Sequence, residues 1–447
     1  MKTKIVITLG PSTSEEGLIQ QATSNGVSAL RINTAHGSPD AWLNLIRKAR
    51  KACKAPIIID LVGHSIRYKG VDLGIKKGVS VTIKDSDLNT KISSKLKKGQ
   101  RLIINEGQIN AIITSANNSE FTFKTRTDGA LTKNNKLTIP GLNIKINILN
   151  NNTREAIKIV NDEKIEFVAL SFTQDANDLK NLKKLVPDSL VIAKIENEQG
   201  VRKHEEIISE SDAIIIGRGD LGAELKISHV PMIQKELIKA CNKLAKPVIV
   251  ATQILESMIN TPYPTRAEAS DIANAILDGA DALMLSGETT IGKYPLECVK
   301  VINEVSEVTE NRQRTAITTN GSHNISDAIT QSVVELSYKL KIDKVITITR
   351  SGYTARMISR LKPKAEIIAF SNNPKTINSL SLSHGVNAHL INKQELSINE
   401  CASELNKHNL VTKKDLVIFA GGFNVEKTGV TNMIQINTGE TIIDGNL

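Results

Sequence analysis

The chain has 447 residues, 40% hydrophobic and 23% charged, with a net charge of +10; a chain this long buries its cores without disulfide staples, and two to four domains are expected. No run of ~18 apolar residues occurs, so no membrane span is expected, and the start MKTKIVITLGPST lacks the length and cleavage pattern of a secretion signal, which makes the cytoplasm the expected compartment. The four scattered cysteines form no CxxC pair and argue against a zinc site or disulfide framework, while spread lysines with 3% aromatics argue against nucleic acid as a partner and suit anionic, phosphorylated metabolites.

Lys4–Leu9 opens a repeated unit: a short β-branched run, a polar tail, then an amphipathic helical stretch. Ser28–Asn33 and Ile57–Leu61 repeat it, and Glu166–Phe172, Leu190–Glu196, Ala213–Gly217, Pro247–Thr252 and Ala282–Ser286 resume it later. Continuous apolar runs separated by helices are buried parallel strands. Eight of them predict an α/β fold, a closed (β/α)8 TIM barrel built from residues 1–69 and 139–320.

Residues 70–138 interrupt the pattern. VSVTIK, RLIINEG, INAIIT and EFTFKTR alternate with period two, which predicts a small inserted β-barrel domain placed to act as a lid. Residues 321–447 read as a C-terminal α/β domain with strands at Lys344–Thr349, Glu366–Phe370 and Asp415–Ala420. The stretch VINEVSEVTENRQ ends the last barrel helix before it.

Polar residues gather at the C-terminal ends of the barrel runs, where a barrel concentrates its chemistry. Lys194 and Glu196 lie two apart on one strand and share a side; Asp220 follows the next strand. Two carboxylates suit a divalent cation with oxygen ligands, and the ammonium suits a developing anion. A structural salt bridge is the plain alternative, and spacing alone leaves both open.

GRGDLG matches G-x-G-x-x-G, but a dinucleotide site needs a helix opening there. ELKISHV follows, and a helix is expected only from Pro231, so the glycines more simply admit a phosphate or carboxylate to the backbone. Thr265 and Glu268 form a capping-box pattern. TRSGYT, residues 349–354, sits between strand and helix, as an anion cradle or as plain capping by Ser351 or Thr354. Walker, HExxH and GxSxG patterns do not occur.

Together, TKIVITLGPS, LRINTAHG, VIAKIENEQGV, GRGDLGAEL, KPVIVATQILESMI, PTRAEASDIANAILDGADALMLSGET and GKYPLE resemble the pyruvate kinase family in sequence, order and spacing. The resemblance covers nearly the whole chain and is densest from about residue 190 to 300. It implies phosphoryl transfer from phosphoenolpyruvate to ADP, giving pyruvate and ATP, the last step of glycolysis, in a cytoplasmic homotetramer. It further implies Mg2+ (or Mn2+) on Glu196 and Asp220, and Lys194 beside the phosphoryl group in flight and the enolate. Arg31 would clamp the phosphate. Thr252, with the backbone of Gly219 and Asp220, would hold the substrate carboxylate. Asn33, His36 and Arg67 would line the nucleotide side, with Pro11 near the adenine. Asn33, Asp60 and Leu61 would border a monovalent cation. Thr349, Arg350, Ser351, Gly352, Tyr353 and Thr354 would take the phosphate of an allosteric effector.

Several positions depart from the family pattern. A serine that would bind K+ is Ala35, and Asp-Thr-Lys-Gly-Pro-Glu-Ile-Arg becomes Asp60-Leu61-Val62-Gly63-His64-Ser65-Ile66-Arg67. A lysine used near the nucleotide aligns with Asn152, and the loop facing the effector is Ala420-Gly421-Gly422-Phe423, without Trp or Arg. K+ is therefore not expected to be required. The charge lost at Val62 and Asn152 keeps a second reading open, a catalytically weak paralogue that senses phosphorylated metabolites. A basic RNA-binding protein has only net charge in its favour.

Overall fold

The computed structural model describes residues 2–142, 144–146, 149–312, 324–393, 397–422 and 430–444. Eight parallel strands close a barrel: Lys4–Thr8, Val27–Asn33, Ile57–Leu61, Phe167–Leu170, Leu190–Ile195, Ala213–Gly217, Val248–Ala251 and Ala282–Leu285. Each expected run is present, to within two residues at either end. Strand side chains alternate in direction, so each strand feeds two cores. Ile5, Ile7, Leu30, Ile32, Ile57 and Ile59 pack outward under the helices. Val6, Ala29, Ile58, Ala169, Ile192 and Ile215 fill the barrel interior.

That alternation positions the chemistry. Two residues beyond the inward apolar set, the same faces carry Thr8, Arg31, Asp60, Ser171 and Lys194. Register reinforces this, with Arg31 beside Thr8, Asp60 beside Ala169, and Lys194 beside Ile215. The barrel is thus apolar below and polar at its C-terminal mouth.

The insertion is a curled six-stranded antiparallel sheet in the order Ile66–Arg67, Lys136–Thr138, Arg101–Ile104, Ile109–Ala116, Glu120–Thr125, Ser80–Lys84. A ribbon of Leu73–Ile75 and Gly129–Leu131 joins it. Phe121, Phe123, Ile104 and Ile113 form its own core. All four expected strands lie within this sheet.

The C-terminal unit is a five-stranded sheet ordered Val386–Leu390, Glu366–Ser371, Lys344–Ile348, Leu416–Gly421, Met433–Thr438, the last antiparallel. The two edge strands, VNAHL and MIQINT, were not anticipated. The proposed boundary at 320–321 and Phe423 lie outside the described residues.

This unit is fastened to the N-terminal end of the barrel by charged groups. Asp281, just before the last barrel strand, accepts from Lys362 Nζ at 2.7 Å, from the His384 N–H at 3.0 Å and from the Val248 N–H at 3.0 Å. Lys4 Nζ donates to Val386 O at 2.7 Å, and Arg360 Nη1 donates to Lys243 O at 3.0 Å. Among the described residues no helix is long and apolar enough to cross a membrane.

Candidate active site

Asp60 is the hub of the barrel mouth. Its Oδ2 accepts from Arg31 Nε at 2.8 Å and lies 2.7 Å from Arg31 Nη2 and 2.9 Å from Lys194 Nζ. Its Oδ1 accepts from Ser171 Oγ at 3.0 Å. Burial works against the charged carboxylate, but Lys194 and Arg31 outweigh it and hold its pKa below the usual range. Arg31 is further fixed by Thr8 Oγ1 at 2.9 Å.

Lys194 reaches three partners, Asp60, Ser171 Oγ at 2.9 Å and Glu196 Oε1 at 3.0 Å. Burial lowers its pKa, yet the two carboxylates outweigh that, and the net shift is upward. It remains an ammonium. Glu196 is buried, and its Oε2 accepts from the Phe172 N–H at 3.0 Å. Burial raises its pKa; Lys194 opposes, and the Asp220 charge adds to the rise. A carboxylate in that position is stabilised by a further cation.

Glycines make the room. A Cβ on Gly217 would lie 2.5 Å from Glu196 Oε1. A Cβ on Gly63 would lie 1.5 Å from Ser171 O, so this loop passes the strand end with no space for a side chain. Gly63→Ala is expected to cost about 1–3 kcal/mol, as overpacking does, and to lower Tm in a thermal melt. An unchanged melt would contradict the close approach.

Thr252 sits in left-handed backbone, φ +67°, as does Gln253 at +54°. Such backbone is unfavourable for a β-branched residue. Arg218 holds it: its Nη2 donates to Thr252 O at 2.7 Å and Gln253 O at 3.0 Å. Thr252 Oγ1 then accepts the Gly219 N–H at 2.8 Å. Thr252 and Gly219 are therefore together, as the resemblance implies for a carboxylate cradle.

The segment at 217–222 corrects the expectation for its helix. A helix runs Arg218–Glu224 directly from Gly217, and a second runs Val230–Lys243. The paired glycines hid the first from propensity. The short helix puts Asp220 in its first turn, facing the cleft.

These groups line one cleft of about 390 Å3. Arg31, Lys194, Glu196, Asp220 and Thr252 share it with Asn33, His36 and Arg67 of the expected nucleotide side. His36 is exposed at the rim, and partial desolvation with nearby Arg67 and Arg31 lowers its pKa. Arg67 Nη1 donates to Asn134 O at 2.9 Å. Pro11 is exposed in the turn after the first strand and is not among these lining residues. Leu61 is buried in its strand, and Asn33 Oδ1 accepts from the Ala35 N–H at 3.1 Å.

Sequence reasoning missed Ser171 and the lid lysine Lys136. Lys136 is ion-paired with Asp220, and its Nζ sits 3.8 Å from the centre of the Phe172 ring. The polar tail SFTQ was the only signal for Ser171; Lys136 had none.

Among the described residues no three His, Cys, Asp or Glu side chains are grouped to hold a metal. Two carboxylates on one cleft, one of them wholly buried, nevertheless fit a hard divalent cation completed by substrate oxygens and water.

In the C-terminal unit, residues 349–352 link the strand Lys344–Ile348 to the helix Tyr353–Ser359, which Tyr353 and Thr354 open. The capping expectation there is corrected. Gly352 is the N-cap, φ +76°, with no side-chain cap bond, and Thr354 Oγ1 pairs with Thr431 Oγ1 at 2.8 Å. Thr349 is buried, and Arg350 O accepts from Thr376 Oγ1. Thr265 and Glu268 do form their capping box.

The family model described as pyruvate kinase, barrel domain, matches residues 1–299, and that for the pyruvate kinase alpha/beta domain matches 327–437. A pyruvate kinase of Thermotoga maritima is 36% identical over 97% of this chain and 98% of its own length. One of Methanocaldococcus jannaschii is 37% identical over 90% of this chain and 91% of its own. A crystal structure of a pyruvate kinase from Cryptosporidium parvum superposes with a TM-score of 0.88 at 27% identity, covering 98% of this chain and 96% of that one.

Proposed function

The chain belongs to the pyruvate kinase family of transferases, and from that premise we propose that it transfers the phosphoryl group of phosphoenolpyruvate to ADP, giving pyruvate and ATP. The observation that carries this is the buried chain Arg31–Asp60–Lys194–Glu196 opening on the cleft that Asp220 and Thr252 share.

Phosphoryl transfer asks a protein chiefly for positioning and charge neutralisation. Arg31 and Lys194 meet that demand because Asp60 holds both in place before substrate arrives. Arg31 clamps the phosphate. Lys194 neutralises the group in transit and then the enolate oxygen left behind. The Thr252 hydroxyl and the Gly219–Asp220 backbone hold the substrate carboxylate, which turns the reacting carbon toward the proton it gains. Asn33, His36 and Arg67 serve the nucleotide side, and the lid excludes water. Glu196 and Asp220 would hold Mg2+ or Mn2+, which supplies charge to the phosphate oxygens when bound.

K+ is not required in this proposal. The Asp60 carboxylate is already satisfied by two cations and a hydroxyl, and the ligand serine is Ala35. The effector phosphate is assigned to residues 349–354, and the assembly to a homotetramer.

A lactate-dehydrogenase-coupled assay with phosphoenolpyruvate, ADP and Mg2+ tests this. Turnover is expected in K+-free, Na+-free buffer, with little gain on adding K+. Strict dependence on K+ would remove the cation claim, and no turnover under either condition would remove the reaction.

A further inference from the structure

We infer that Lys136 is a displaceable counter-ion for Asp220, a lid lysine that occupies the metal position until a divalent cation takes the carboxylate. This rests on the reading of Asp220 as a metal ligand.

Lys136 starts the lid strand Lys136–Thr138, paired with Ile66–Arg67 and Arg101–Ile104. Its backbone therefore moves with the lid. Its ammonium does not stay there: it pairs with Asp220 on the barrel and rests against the face of the Phe172 ring. That ring is buried. Phe172 has φ +53°, and its N–H is bound to Glu196 Oε2. One lid side chain thus touches Asp220 and the residue bonded to Glu196.

Lys136 holds Asp220 by Oδ1, and an ammonium and a dication on that same oxygen repel each other strongly in a partly dry cleft, so the two compete for it. Entry of the metal therefore expels Lys136 from Asp220. A second carboxylate waits for it. Glu224 lines a small cavity that Lys136 also lines. Burial pushes the Glu224 carboxyl up to about 7, and the nearby Lys136 charge opposes that rise. The exchange of Lys136 from Asp220 toward Glu224 ties lid position to metal occupancy. It also keeps Asp220 neutralised while the cleft is open.

Mn2+ binding, followed by the EPR signal of the free ion without substrate or nucleotide, tests the exchange. Lys136→Met is expected to bind Mn2+ about 10-fold tighter than wild type. Lys136→Arg, which keeps the competing charge, is expected to match wild type. Circular dichroism and Tm confirm that each variant is folded. Hydrogen exchange at 136–138 should rise with Mn2+ in the wild type and be high from the start in Lys136→Met. Equal or weaker Mn2+ binding by Lys136→Met overturns the inference while leaving the metal reading intact, provided Asp220→Asn loses Mn2+. Wild-type Mn2+ binding by Asp220→Asn would sink the metal reading and the inference together.

Discussion

Lys194→Met should lower kcat by roughly 10^3-fold or more while phosphoenolpyruvate still binds. Removing a single preorganised donor to a developing anion costs about 10^2–10^3 in rate, and Lys194 carries a full charge in a buried setting. It also spans Asp60 and Glu196, at 2.9 and 3.0 Å. Its loss leaves two buried carboxylates short of a counter-charge, so stability falls as well, by about 3–5 kcal/mol for a broken buried pair. The kinetic claim therefore needs a folded variant. The measurement is kcat in the coupled assay beside phosphoenolpyruvate affinity by calorimetry, below the variant's melting temperature. Arg31 retains its anchor on Asp60 and Thr8, which is why binding should survive. Near-normal turnover would show that Lys194 is structural.

Asp220→Ala is expected to lower kcat/KM by roughly 10^3–10^4, matching the several kcal/mol of charge stabilisation that a bound metal contributes. Mn2+ affinity should fall with it. The fold should survive with a modest loss, about 1–3 kcal/mol, because Asp220 lies in the first turn of a short helix at the cleft and gives up one part-buried bond to the lid lysine Lys136. A variant that still melts cooperatively, with lost Mn2+ binding and lost turnover, would match. Full Mn2+ affinity in that variant would rule out Asp220 as a ligand.

Much of this was legible because barrel strands write themselves as β-branched runs. Ile57-Ile58-Ile59 and Ile214-Ile215-Ile216 are buried on both faces, and no amphipathic helix reads that way. Lys194 and Glu196 could be placed on one side because alternate strand residues share a face. Asp60 was harder. Its partners Arg31 and Lys194 lie 29 and 134 positions away, and only barrel closure brings them in. By sequence it entered as a neighbour of a monovalent cation; the structure surrounds it with cationic side chains. Lys136 was illegible for a different reason. It is one of 57 basic residues, on a short strand with no motif, and its meaning depends on where the lid lies. The helix at Arg218 was missed because glycines at 217, 219 and 222 lower propensity, whereas tertiary packing of Leu221 stabilises it. The edge strands VNAHL and MIQINT escaped because their polar, half-exposed residues lack the apolar run that marks central strands.

The join between barrel and C-terminal unit bears on how the protein meets heat. Lys362 and Asp281 are both buried there, and burial lowers the lysine's pKa against the pull of its partner. The hydration that such ions give up becomes less favourable on warming, so the desolvation cost of this seam shrinks as temperature rises. Oily contacts enjoy no comparable gain. The seam at the barrel's floor is thus proportionately firmer in a warm cell than in a cold one.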